Sequence, residues 1–170
     1  MNAPEPSTRL VIEPSESAPR NSEGDILLLA DGRLLLVYTR FTGGGWDHAA
    51  AEIACRESWD GGLTWSSDRL LVENEGRENV MSVSLLRLPS GEVLLFYLVK
   101  NGCSDCRSFV RRSQDDLVTL SEPVCATPDA GFFVVNNDRV IRHSSGRLLV
   151  PAAYHACPGG SYEHYDMRGV

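Results

Sequence analysis

The sequence is poor in what nucleic-acid and membrane proteins need. No basic stripe or run occurs, and 16 Lys and Arg against 23 Asp and Glu leave a formal charge of −7. Phosphate backbones are held by clustered cations, so no nucleic-acid partner is expected. No apolar run approaches the ~18 residues of a spanning helix, so no membrane partner is expected either. The stretch MNAPEPSTRLVIEPSESAPR lacks an apolar core of signal-peptide length. Cysteine is sparse and odd in number: Cys55, Cys103, Cys106, Cys125 and Cys157. The odd count and the missing leader favour a reducing, cytoplasmic compartment. Cys103 and Cys106 form a lone C-x-x-C in a polar loop. A zinc site would need a second Cys or His pair, and His48, His143, His155 and His164 are not spaced to supply one. No metal or organic cofactor is expected, and the C-x-x-C thiols are expected to be free or oxidised as a pair.

What is present suits one folded domain. The chain has 170 residues, 42% hydrophobic and 23% charged, enough apolar residues for a core. Its organisation is repetitive. Three segments share an apolar strand, a polar turn with glycine and a longer apolar strand: Asp25 to Phe41, Ser82 to Lys100 and Asp138 to His155. The turn glycines Gly32, Gly91 and Gly146 recur at intervals of 59 and 55 residues. The pairs Asp31-Gly32, Ser90-Gly91 and Ser145-Gly146 suit two-residue hairpin loops. Runs such as Leu34-Leu35-Leu36-Val37 could start a helix, but the Asp-Gly before them and the threefold layout favour strands.

A second motif follows the first hairpin: Ser58-Trp59-Asp60-Gly61-Gly62-Leu63-Thr64-Trp65. Asp60 can accept backbone hydrogen bonds across a tight turn, and Gly61 and Gly62 can supply positive φ. Thr64 and Trp65 resume a strand, with Trp65 expected to pack inward as an apolar anchor. A worn copy, Ser113 to Leu120, lies 55 residues on; it keeps Ser113, Asp115 and Thr119 but has lost glycine and tryptophan. Two hairpins per repeat give four strands, the unit of a propeller blade. The third repeat stops early, and Asp166 to Val170 reads as the entrance to a third strand. Two and a half blades leave edges and apolar faces open, so poor stability or self-association is expected of the chain alone.

The octet resembles the Asp-box, S-x-D-x-G-x-T-W, of sialidases and other bacterial-neuraminidase-repeat (BNR) proteins. In that motif Ser58, Asp60, Gly62, Thr64 and Trp65 are the structural positions. The resemblance implies an all-β, sialidase-like β-propeller of six blades in full, about two and a half of them here. Residues 1–19 would be a polar lead-in, with blades at about 20–75, 76–130 and 131–170, the last incomplete. From Arg20 onward, RNSEGDILLLADGRLLLVYTRF, NVMSVSLLRLPSG, DCRSFVRRS and FFVVNNDRVIRHSSGRLLVPAAYH are similar to sialidase-like exo-α-sialidases more than to established sialidases.

Propeller sites lie near the central channel, so charged residues flanking the first hairpin of each repeat are candidates. These are Arg20, Asn21, Glu23, Asp25, Arg40, Asp47 and His48; Glu78, Asn79, Ser82, Lys100, Asp105 and Arg107; and Asn136, Asn137, Asp138, Arg139, Tyr154 and His155. By position relative to the octet, the resemblance implies that Arg20 binds a sugar carboxylate and that Asp47 is the acid/base. Arg40 matches a further family arginine, with Glu23, Asn137, Asp138 and Arg139 lining the pocket. A guanidinium can grip a carboxylate in bidentate fashion, and a loop carboxylic acid can protonate a leaving oxygen. The family's R-I-P is absent, since Asn21-Ser22 follows Arg20. The family's tyrosine nucleophile, its glutamate and two more arginines belong to later blades, so the chain alone is expected to be inactive. Blander roles stand beside these: Arg20 as a solvated arginine, Asp47 as a turn residue, and Glu23 and Asp25 as ion-pair partners of Arg20 or solvent-facing turn contacts. Asn136 to Arg139 could be a polar network and His155 a packed strand end. The implied activity is a glycoside hydrolase exo-acting on terminal acidic sugars such as sialic acid. The alternatives are a non-catalytic propeller binding carbohydrate or protein, or a propeller enzyme for another sugar.

Overall fold

The computed structural model describes residues 10–157, 160–162 and 166–169, and among these no α-helix occurs. Thirteen strands follow one another among the described residues: β1 (Arg20–Leu28), β2 (Leu34–Phe41), β3 (Ala51–Ser58), β4 (Arg69–Val72), β5 (Asn79–Arg87), β6 (Val93–Gly102), β7 (Asp105–Ser113), β8 (Val124–Cys125), β9 (Phe132–Val134), β10 (Ile141–Arg142), β11 (Leu148–Leu149), β12 (Ala153–Ala156) and β13 (Asp166–Gly169). The first four form one antiparallel sheet in the order β1-β2-β3-β4. The second repeat builds β5, β6, β7 and β8 in the same way. In the third, β12 pairs with β9 on one side and β13 on the other.

Period-2 alternation makes the second sheet the centre of the molecule. On β6, Val93, Leu95, Tyr97 and Val99 pack with Leu35, Val37 and Ile53 of the first sheet. The intervening Leu94, Phe96 and Leu98 pack the other way, with Phe132, Val135 and Val140 of the third repeat. A strand buried on both faces must be apolar throughout, which is why VLLFYLV shows no polar alternation. At the outer ends the apolar positions are open: Ile26 and Leu28 on β1, and Ile141, Leu148 and Leu149 on the third hairpin, are exposed.

The hairpin loops have three residues, where the sequence suggested two. Leu29 N–H donates to Arg33 O (2.8 Å) and Gly32 N–H to Leu29 O (3.1 Å), and the same pair of bonds closes the turns at Leu88 and His143. A two-residue type I′ loop needs two adjacent positive φ values. Only the glycine of each pair has one: 90° at Gly32, 91° at Gly91 and 90° at Gly146.

The octet folds as a closed polar turn. Ser58 Oγ donates to Asp60 Oδ1 and accepts from Gly62 N–H (2.8 Å), while Asp60 accepts from Thr64 N–H (2.9 Å) and Thr64 Oγ1 (2.6 Å). The worn copy has the same bonds at Ser113, Asp115, Leu117 and Thr119. Asp116 and Leu117 adopt φ of 58° and 64° where Gly61 and Gly62 have 72° and 90°. The four side-chain bonds hold the turn without glycine. Asp60 and Asp115 are each drawn down to a pKa of about 2, chiefly by the threonine hydroxyl. Trp65 is half-buried with Nε1 bonded to Gly62 O (3.1 Å). It caps the turn instead of entering the core, because the polar rim of its indole needs that carbonyl.

The third repeat departs most from the pattern. Its ladder runs Phe132–Val134 against Ala153–His155, then resumes at Ile141–Arg142 against Leu148–Leu149 after a three-residue register shift. At the corresponding places in the first two repeats the shift is a single residue, between Ser22 and Asp25 on β1 and between Met81 and Ser84 on β5. A single parallel pair, Cys106 with Phe132, joins the third repeat to β7 and merges two expected blades into one hydrogen-bonded sheet.

Candidate functional site

The irregularities in β1 and β5 build one side of the site. Glu23 and Ser82 sit at them with φ of 57° and 60°, and Asp138 has 52° in the third repeat. Such values are rare for residues with a Cβ and turn the side chain off the regular pleat. Glu23 and Ser82 thereby meet: Ser82 Oγ donates to Glu23 Oε2 at 2.8 Å. The other oxygen of Glu23 accepts from Arg20 NH2 at 2.9 Å.

Arg20 is the hub. Its NH1 donates to Asp47 Oδ1 (2.5 Å) and its Nε to Ser22 Oγ (2.9 Å), and the guanidinium lies 4.4 Å from the Phe41 ring centroid. The structure therefore brings Arg20, Glu23 and Asp47 together. The Arg20 hydrogen bond holds the Asp47 carboxyl below the usual carboxylate range, with the Lys100 charge adding to it.

Asp47 lies in the loop between β2 and β3, and that loop is pinned from below. Asn79, fully buried, donates through Nδ2 to Asp47 O (2.9 Å) and Ala49 O (2.8 Å). Lys100 Nζ donates to Asp47 O at 2.6 Å. The Asp47 backbone is thus fixed, while its side chain is 59% exposed.

Lys100 continues the Leu94–Phe96–Leu98 face of β6, which carries it to the end of the sheet. It is the only lysine of the chain, 3% exposed, 5.6 Å from the Phe132 ring centroid. Burial pulls its pKa below the ordinary lysine value. Beside it opens a cavity of about 270 Å³ lined by Glu23, Asp47, Ser82, Lys100, Phe132 and His155. His48 and Asn136 also line it. Burial, then Lys100, lowers the pKa of both His48 and His155, so the histidines favour the neutral form. His48 stacks on Tyr162 with centroids 3.5 Å apart.

Other candidates go elsewhere. Arg40 pairs with Asn21 across the β1–β2 ladder, one position out of phase with Arg20. It joins Glu52 and Asp68 in a network that also holds Tyr38 and Arg56, away from the cavity beside Asp47. Asn137 Nδ2 donates to Gly24 O (3.1 Å), Asp138 N–H to Val83 O (3.0 Å) and Arg139 N–H to Ser84 Oγ (3.1 Å). These bonds stitch the third repeat to β1 and β5. Asp138 also raises the pKa of Asp25, behind the larger effect of burial. The residue that reaches the cavity from this run is Asn136. Lys100 stood among the channel-flanking charges, but the family resemblance does not single it out. Its signal was a lone charge ending an apolar strand, in phase with Phe96 and Leu98.

Among the described residues no group of three His, Cys, Asp or Glu side chains could hold a metal ion. No protein-family model and no curated protein sequence matches the chain. Solved structures do. A protein of unknown function from Dyadobacter fermentans DSM 18053 matches 94% of the chain with a TM-score of 0.72 at 15% identity. The Hadza microbial sialidase Hz136 matches 81% of it with a TM-score of 0.66 at 17% identity. A thermostable family-43 glycoside hydrolase matches 88% with a TM-score of 0.56 at 11% identity. The chain covers 52%, 33% and 53% of these three structures, one third to about half of their lengths. At such identities the likeness speaks for the fold: the chain is all-β, with the sialidase-like β-propeller fold.

Proposed function

We propose that the chain carries part of the sugar site of a glycoside hydrolase acting on terminal acidic sugars such as sialic acid. The observation that supports this best is the Arg20 guanidinium, held between Glu23 and Asp47, two carboxylates that line the same cavity as Lys100. A ligand carboxylate is the natural competitor for the Arg20 NH1 now given to Asp47. When it binds, Asp47 loses its strongest stabilising bond and gains a negative neighbour. Both changes raise its pKa toward the range where a carboxylic acid donates a proton to a glycosidic oxygen. Glu23 stays on Arg20 and keeps it oriented; Asn79 and Lys100 keep the Asp47 backbone in place. Residues beyond the third repeat would supply the remaining chemistry.

A second reading is a non-catalytic sugar-binding propeller. It is favoured by the same ion pair, which in the free chain keeps Asp47 ionised and unable to donate a proton. The test is hydrolysis of a fluorogenic sialoside by the full-length protein and its Asp47→Asn variant, with binding measured alongside. We expect turnover to drop at least ~100-fold in the variant while binding persists, the scale of losing a general acid. Binding without turnover in the unaltered protein would establish the second reading, and equal turnover in both would remove Asp47 from the acid role.

A further inference from the structure

Trp46 is the most exposed tryptophan of the chain, 70% open to solvent, and it stands one residue before Asp47. A lone exposed apolar side chain is ordinary; one held at a fixed place beside a site is informative. The loop between β2 and β3 that carries it is braced along its length. Thr42 N–H (2.8 Å) and Gly43 N–H (3.0 Å) both donate to Ala50 O and close its neck. Ala49 N–H donates to Trp46 O at 3.0 Å, so residues 46–49 form one turn with Asp47 and His48 in its centre. Asn79 holds the carbonyls of Asp47 and Ala49, and Lys100 that of Asp47. The indole itself lies against Gly44. A Cβ added there would stand 3.3 Å from Trp46 Cε2 and 3.4 Å from Cζ2, and Gly44 has a φ of 151° that side-chain-bearing residues rarely adopt. Glycine at 44 thus leaves the ring a seat that a larger residue would fill.

Asp47 lines the cavity and Trp46 does not, so the rim runs between these two neighbours. Arg20 NH1 reaches the loop at Gly45 O (3.5 Å) and at Asp47 Oδ1 (2.5 Å), the residues on either side of Trp46. We propose that Trp46 is the stacking platform for the leaving group of a glycoside, a pyranose ring that packs its C–H face on the indole while the acidic sugar occupies the cavity. This rests on the reading of the cavity as an acidic-sugar site. The placement follows from the order of groups in such a ligand. Its carboxylate goes to Arg20, its glycosidic oxygen to Asp47, and whatever that oxygen carries leaves the cavity over the rim. The electron-rich face of an indole attracts the positive edges of C–H bonds and takes them out of water. The hydroxyls of the ring stay in solvent, so the platform selects a flat apolar face rather than a hydroxyl pattern. Because the loop is already braced, little ordering is lost when the ring lands on it. A leaving group as small as methanol gains nothing there.

The test gives the full-length protein two ligands: methyl sialoside, whose leaving group is methanol, and sialyl-galactose, whose leaving group is a pyranose. The quantity read is kcat/KM for release of the acidic sugar, or Kd where neither ligand is cleaved. Trp46→Ala is expected to weaken sialyl-galactose about tenfold, the scale of losing one covered apolar face, and to leave methyl sialoside unchanged. Trp46→Phe, which keeps a smaller ring, is expected to recover most of that loss. An equal loss for both ligands would overturn the platform, since Trp46 would then act only by placing Asp47. No loss for either would also overturn it, and the acidic-sugar reading would stand because both ligands are still used. An unaltered protein that neither binds nor cleaves either ligand would overturn that reading and the platform with it.

Discussion

Lys100 Nζ donates to the backbone carbonyl of Asp47, 2.6 Å away, and not to its carboxylate. The single lysine of the chain therefore holds the loop in position and leaves the acid to Arg20. It shares that carbonyl with Asn79, whose Nδ2 also reaches Ala49 O.

The two supports should respond differently to removal. Asn79→Ala leaves the Ala49 carbonyl without its buried donor and Asp47 O with Lys100 alone, and is expected to destabilise the chain by about 1–3 kcal/mol, read from urea unfolding. Lys100→Met leaves the Asp47 carbonyl its bond from Asn79 and removes a buried charge; stability is expected to hold or rise. The pH dependence separates them further. The folded pKa of Lys100 lies below 10.5, so the unfolded chain binds the extra proton between the two values. Stability should rise with pH across that window in the unaltered chain and in Asn79→Ala, and this rise should vanish in Lys100→Met.

Arg20→Gln should release Asp47. Its carboxyl pKa is expected to climb toward the ordinary 3.8, seen by carbon-13 NMR titration of the side chain. The sign for stability follows from the depressed value. The ion pair contributes above the unfolded pKa of about 3.9 and is lost as pH falls through the lower folded value. The variant should lack that acid-side loss. An Asp47 pKa that does not move would show that Arg20 does not control the group.

Leu117 sets two effects against each other. It occupies a left-handed conformation at φ 64° yet is fully buried among Leu29, Val83 and Val93. Replacing it with glycine relieves a strain of about 1–2 kcal/mol but empties a leucine site, a loss of about 2–5 kcal/mol. The cavity should win, and Leu117→Gly is expected to lower stability by about 1–3 kcal/mol. A stabilised variant in thermal unfolding would reverse that ranking.

Much of this architecture was readable because propeller strands announce themselves. Gly32, Gly91 and Gly146 mark the turns, and Ser113, Asp115 and Thr119 preserve the polar frame of the octet after its glycines are gone. What escaped depends on phase and on distance along the chain. Arg20 and Arg40 look alike as basic residues flanking one hairpin, but the ladder places them one step out of phase, and only Arg20 meets Asp47. Two-residue loops looked natural for Asp-Gly and Ser-Gly; one extra residue, set by a single positive φ, was enough to change the turn.

The positive φ shared by Glu23, Ser82 and Asp138 has a bearing on how such a protein can change. Each residue stands at a break in its ladder, so its identity is little constrained by cross-strand neighbours. At Glu23 and Ser82, substitution swaps a group lining the cavity while leaving the pairing on either side intact. The first two repeats thus each carry one interchangeable fitting on a fixed frame, and new ligand preferences can arise by altering these two positions one at a time.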